Sequence, residues 1–227
     1  MKIYNLLFIM MVCLACESKQ AHEVKHYGTL RSIKHEGDVS GKVELDTLVK
    51  THLYGLGALA GIKGEITLID GQTYVSKVID STAVLGSTTN VEAALFVFSY
   101  VHEWDTVSVE GGDDLELLIS ANLEERNDFA PTPFMIIGRP DMVDYHIVNL
   151  DPKSENKADH KAGSFTDTIE KRQLTLVGFY ANDAQGVYTH HDSNIHVHFV
   201  EESSSLTGHV DDVVLGEGEF KLLIPKP

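Results

Sequence analysis

The sequence predicts an α+β protein, with a mixed N-terminal sheet and one helix followed by a C-terminal antiparallel sheet. Three observations carry this reading. Short β-branched and aromatic runs, punctuated by Gly, Pro and Asp turns, recur along most of the chain, as strands do. One stretch, DDLELLISANLEERN, has clear helical spacing: Leu115, Leu118, Ile119 and Leu123 recur on one face, and Asp113 or Asp114 can cap its start. The C-terminal part then runs through four strand-like segments in succession. A chain of 227 residues is long enough for one sizeable domain or two small ones sharing a core.

The first fifteen residues, MKIYNLLFIMMVCLA, stand apart. Lys2 is followed by an apolar run from Leu6 to Leu14, too short to span a bilayer but right for a signal-peptide core. Cys16 follows Ala15 and precedes polar Glu17-Ser18-Lys19. The segment resembles a bacterial lipoprotein signal, in which that cysteine becomes the lipidated N-terminus; plain secretion and an uncleaved anchor are the other readings. Export to the periplasm, the outer surface or the medium is the expected location. Both cysteines lie in this segment, so the body has no disulfide and no thiolate nucleophile or ligand.

Residues 18–24 are polar and read as a tether, and the folded region starts near Tyr27. Glycines at 55, 57 and 61 follow an apolar stretch. GEITLIDGQTYVSKV reads as a hairpin around Asp70-Gly71. ALFVFSYVHEW, Ala94 to Trp104, is continuous enough to read as one buried strand. After the helix and a Pro-bearing loop, PFMIIGRPDMVDYHIVNL gives two strands joined near Gly138-Arg139-Pro140. These elements make up an N-terminal mixed-sheet region, residues 23–150. Residues 151–167 are polar and read as a linker or mobile loop. RQLTLVGFYA, IHVHFV, HVDDVVLG and EFKLLIP are the strands of a C-terminal sheet, residues 165–227. The formal charge of −16 argues against nucleic acid as a partner, because phosphates need a basic surface.

The chemistry concentrates in NIHVHFVEESSSLTGHV. Residues two apart on a strand share a face, so His196 and His198 project together, about 6–7 Å apart, away from Ile195, Val197 and Phe199. The polar turn that follows can bring His209 back beside them on an antiparallel strand. Three imidazoles with an open fourth position form the usual catalytic zinc arrangement. The competing reading is a half-exposed strand with histidines on its wet side. His190 and His191 lie in a turn-like stretch and are read as facing solvent, and the remaining histidines, His146 among them, show no spacing signal. Glu65, among glycines at a strand start, could reach into a pocket or sit at the surface as an ordinary turn residue.

Several separate stretches, taken in order, resemble the α-acetolactate decarboxylases. VGFYANDAQGVY, IHVHF and TGHVDDVVL resemble the family's VGF segment, HxHF strand and GGHV-type strand. GLGALAGIKGEITLIDGQTY resembles its glycine-rich segment, and DDLELLISANLEERN with PFMIIG resembles its helix and following strand. The resemblance covers roughly Tyr27 to Pro225. It implies that His196, His198 and His209 hold Zn2+, and that Glu65 is a catalytic carboxylate beside the metal. It also implies a homodimer and a 2-hydroxy-3-oxo acid substrate, 2-acetolactate, which loses CO2 to give acetoin. The departures are specific. Ala58 stands where the family has Thr. The family's Arg, in a T-R-[ST]-V-like segment, falls near Asn149 here; no Arg lies between Arg139 and Arg172, and Arg139, in a Gly-Arg-Pro turn, is the candidate substitute. The family's tail glutamate has no counterpart beyond Glu217 or Glu219. A zinc hydrolase on the same scaffold and a non-catalytic exported zinc- or ligand-binding lipoprotein are the alternatives.

Overall fold

The computed structural model describes residues 22–86, 88, 90–112, 114–150 and 163–227. The expected leader, Cys16, Asp113 and residues 151–162 of the expected linker lie outside them.

The strands fall into two blocks that follow chain order. The first sheet comprises β1 (Lys25–Tyr27), β2 (Val43–Glu44), β3 (Leu53–Leu59), β4 (Glu65–Ile69), β5 (Gln72–Ile79), β6 (Thr82–Gly86) and β7 (Glu92–Tyr100), in the order β1-β7-β3-β4-β5-β6 with β2 also on β7. The second comprises β8 (Trp104–Glu110), β9 (Thr132–Gly138), β10 (Met142–Ile147), β11 (Phe165–Glu170), β12 (Leu174–Tyr180), β13 (Ile195–Glu201), β14 (Leu206–Val214) and β15 (Glu219–Pro225). Its order is β11-β10-β14-β13-β12-β9-β15-β8. The helix α1 (Leu115–Glu125) lies between β8 and β9 in the chain.

Three expectations are corrected here. The first sheet is antiparallel throughout rather than mixed, because its strands follow one another through turns and loops without the crossover helix that parallel neighbours need. The N-terminal unit does not extend to residue 150. β8, β9 and β10 belong to the second sheet and α1 packs on it, and Ala94–Trp104 is two strands, broken where the chain passes between sheets. Phe165–Asp167, read above as belonging to both the linker and the C-terminal sheet, lies in the sheet and begins β11. The described residues are therefore mostly β, with one short α-helix, and fit the α+β class only loosely.

Local chemistry explains the elements that were anticipated. The β4–β5 hairpin closes through Asp70 (φ 48°) and Gly71 (φ 77°), the pair of left-handed residues that a two-residue type I′ turn requires. Asp114 caps α1 by accepting from the Leu117 N–H at 2.9 Å. Leu115, Ile119 and Leu123 are buried against the outer face of the second sheet, with Phe134, Ile136, Val197 and Phe199. The inner faces of the two sheets pack on each other through Leu56, Leu95 and Val97 from the first, with Phe179 and Ala181 from the second. The outer face of the first sheet buries Ile66, Leu68, Phe96 and Phe98 under Leu45. Alternation along β4 therefore turns Glu65 and Thr67 towards the second sheet, while Ile66 and Leu68 turn away.

Candidate metal centre and cleft

The histidine stretch folds as a two-stranded unit. β13 and β14 pair antiparallel with His198 opposite His209, and their other face sends Val197 and Phe199 into the outer core. His196, His198 and His209 each offer a ring nitrogen, and those atoms lie within 4.8 Å of one another. His196 Nε2 is 3.1 Å from His209 Nδ1. All three are buried, and His198 is completely enclosed at 0% exposure. Glu65 reaches the same place from the first sheet and is 2% exposed, not a surface turn residue. Its Oε1 accepts from the Val148 N–H at 3.0 Å, and its Oε2 lies 3.6 Å from His198 Nε2.

Burial dominates the electrostatics. It pushes the Glu65 carboxyl up to about 7, against the opposing pull of His146 and the Val148 N–H. It holds His196 down at about 3, helped by the nearby charge of His190, and keeps His198 and His209 well below the usual imidazole range. Three neutral nitrogens facing one point are the donor set that a borderline divalent cation such as zinc accepts. The fit has a second sign. Among the described residues His198 Nε2 is buried without a hydrogen-bond partner, and Glu65 Oε2, 3.6 Å away, is too far to bond it. A cation among these groups would satisfy the lone pair and the carboxylate together.

His196 and His209 open on a cleft of about 770 Å3 whose lining also includes Gly57, Glu65, His146, His190 and Asp211, with His198 enclosed behind them. Gly57 is required there: a Cβ at this position would come 2.0 Å from the Leu95 carbonyl oxygen. Two lining residues were not singled out in the sequence. His146 on β10 sits directly across from His209, with ring centroids 4.7 Å apart, and Asp211 Oδ2 is 2.7 Å from its Nδ1. Asp211 occupies a bulge. Asp144 pairs with Asp212 and Tyr145 with Val210, which leaves Asp211 as the extra residue. The bulge resets the alternation, so Val210 and Val213, three apart, both pack into the outer core. The available signal was spacing: Asp211 is two residues from His209, and His146 lies out of phase with buried Val143, Tyr145 and Ile147. His190 is exposed, as expected, yet its ring comes within 5.2 Å of His209; His191 is exposed beside it.

Other expected positions fall outside the cleft. Asn149 is engaged by Lys63 Nζ at 3.0 Å and donates to the Gly163 carbonyl at 3.2 Å. Arg139 donates to the Lys171 carbonyl on the surface. Glu219 pairs opposite Glu110 at the sheet edge, and Glu217 lies in the surface hollow beside Gly111.

Comparison with known proteins bears on this arrangement. The chain is similar to the alpha-acetolactate decarboxylase of Methanosarcina mazei, 28% identical over 193 residues, which cover 77% of this chain and 60% of that protein. The chain thus spans less than two thirds of the length of that curated relative. The fold is similar to the crystal structure of alpha-acetolactate decarboxylase from Bacillus subtilis strain 168, with TM-score 0.71, 22% identity and coverage of 89% and 86% of the two chains. It is equally similar to a Staphylococcus aureus protein of unknown function resembling that enzyme, with TM-score 0.72, 16% identity and coverage of 88% and 85%. The family model for alpha-acetolactate decarboxylase matches residues 26–224. That match runs through both sheets and takes in Glu65 and every histidine of the cluster, so the chain belongs to the alpha-acetolactate decarboxylase family.

Proposed function

We propose that this protein is a zinc-dependent carboxy-lyase that converts 2-acetolactate to acetoin and CO2, with His196, His198 and His209 as metal ligands and Glu65 as the proton-transfer group. The observation that carries the reading is the orphaned His198 Nε2, set among two other buried imidazoles and facing a buried carboxylate. Family membership supplies the reaction class. A bound zinc ion would supply Lewis acidity towards the ketone and hydroxyl oxygens of the substrate.

The chain's own groups account for the rest. Loss of CO2 leaves a carbon that must take up a proton, so the reaction consumes one proton per turnover. Glu65 can carry it at Oε2: Oε1 is anchored by Val148, and burial brings the carboxyl close to neutrality in its affinity for protons. The cleft wall of Leu95, Ala58 and Ile62 suits the substrate's methyl groups and keeps water from the reacting carbon. His146 and Asp211 are the hydrogen-bonding pair beside the triad and are placed to hold the substrate's polar end. Export, a lipid on Cys16 and a homodimer remain part of the proposal, on the leader and the family resemblance.

Incubating zinc-loaded protein with racemic acetolactate and measuring acetoin tests the reading. Formation well above the spontaneous rate is expected. Zinc bound at one per chain with no acetoin above that rate would overturn it in favour of a hydrolase or a binding protein.

A further inference from the structure

The hydroxyls behind His198 determine which of its nitrogens carries a proton. Thr207 Oγ1 donates to the Phe199 carbonyl at 2.7 Å, a contact in which the carbonyl can only accept. A hydroxyl has one proton. At its 2.6 Å contact with Thr67 Oγ1, Thr207 must therefore accept, and Thr67 must donate. The proton of Thr67 is spent in turn. Its 3.1 Å contact with His198 Nδ1 can then only be donated by the ring. His198 is thereby the Nδ1–H tautomer, and Nε2 carries the lone pair.

We propose that Thr67 and Thr207 are positioning residues that hold His198 as a metal-ready Nε2 donor, through a hydroxyl relay that ends on the Phe199 carbonyl. The proposal rests on the metal reading of the triad given above. The relay crosses the sheet interface, since Thr67 lies on β4 and Thr207 and His198 lie on β14 and β13. Thr207 is further pinned by its N–H, which donates to Ser76 Oγ on β5 at 3.2 Å. Thr67, Thr207, Ser76 and His198 are each 0% exposed, so bulk water cannot satisfy a rearranged set of partners. The relay has a competitor. In the other tautomer Nε2–H would point towards Glu65 Oε2, 3.6 Å away, and would close the ligand position with a proton. Thr67 offers the proton an acceptor at Nδ1 and so keeps Nε2 open.

The tautomer can be read directly. In the metal-free full chain with 15N-labelled histidine, two-bond 1H–15N correlation should show His198 protonated at Nδ1. Thr67→Val, of similar shape, should shift His198 towards Nε2–H and weaken zinc binding by about 10- to 100-fold. Thr67→Ser restores the hydroxyl and should restore both readouts. A wild-type His198 protonated at Nε2 would overturn the relay, and needs no variant to fold. Folded Thr67→Val with wild-type tautomer and zinc affinity would overturn it equally. Absence of zinc binding by the wild-type chain would instead remove the metal reading, while the tautomer measurement still decides the relay.

Discussion

Acidifying the metal-free protein from about pH 8 to about pH 5.5 should weaken the fold by about 2 kcal/mol, a balance of opposed titrations. Burial holds His196 near a pKa of about 3, and His198 and His209 well below their ordinary value of 6.5. In the unfolded chain each titrates near 6.5, so there the unfolded state takes up protons that the native state refuses. Their contribution is complete above pH 6.5 and is lost as pH falls from there towards the folded values. At about pH 5.5 an unfolded histidine is protonated about ten to one, which costs the native state about 4 kcal/mol for the three together. His22, also lowered by burial, adds in the same direction. Glu65 opposes them. Its pKa rises from 4.5 to about 7 on folding, so its penalty is present at about pH 8 and is relieved as pH falls, returning about 2 kcal/mol. The net loss should lower the urea midpoint by about 1 M. Urea unfolding in chelator at the two pH values measures it. In Glu65→Gln the offset is gone, and the loss should grow to about 4 kcal/mol. A midpoint that holds level or rises on acidifying that variant would refute neutral burial of the three imidazoles.

Three further outcomes are expected. His198→Ala should abolish stoichiometric zinc binding, whereas His190→Ala and His191→Ala should retain it; metal analysis after dialysis distinguishes them, and zinc retained in His198→Ala would mean that the ligands are others. His146→Leu and Asp211→Asn should each raise KM about tenfold with zinc content unchanged, the value of one good hydrogen bond to substrate; steady-state acetoin kinetics checks this. Gly57→Ala should cost about 1–3 kcal/mol in thermal or urea unfolding, because its Cβ would collide with the rigid Leu95 carbonyl oxygen.

Much of the fold is legible in residue order because its strands are bounded by strong local signals. Asp70-Gly71 sets one hairpin and its register, and Asp114 sets the start of α1. What is not legible is which sheet a strand joins. The aromatic and β-branched run that reads as one strand ends β7 and starts β8, and the exposed His102-Glu103 pair at the break does not say that the chain there changes sheets. The triad is legible for the opposite reason. Alternation and a short turn are local rules, and they place His196, His198 and His209 together from spacing alone. Glu65, His146 and Thr67 reach the same point from β4 and β10, through inter-sheet packing and non-sequential pairing that no spacing encodes. Family resemblance recovered Glu65, but it could not recover Thr67 or His146, whose roles depend on their neighbours in this chain.

The two sheets are built from consecutive stretches of chain, so each can complete its own ladder before meeting the other. The cleft draws Glu65 from the earlier stretch and His146, His196 and His209 from the later one. A ligand seated among them recognises only the docked pair. By mass action, a ligand at about a hundred times its Kd would favour docking by about 2.7 kcal/mol. An ion held by His196, His198 and His209 alone would stay with the second sheet, whereas one that also engages Glu65 would tie the first sheet to it and make the pair harder to pull apart.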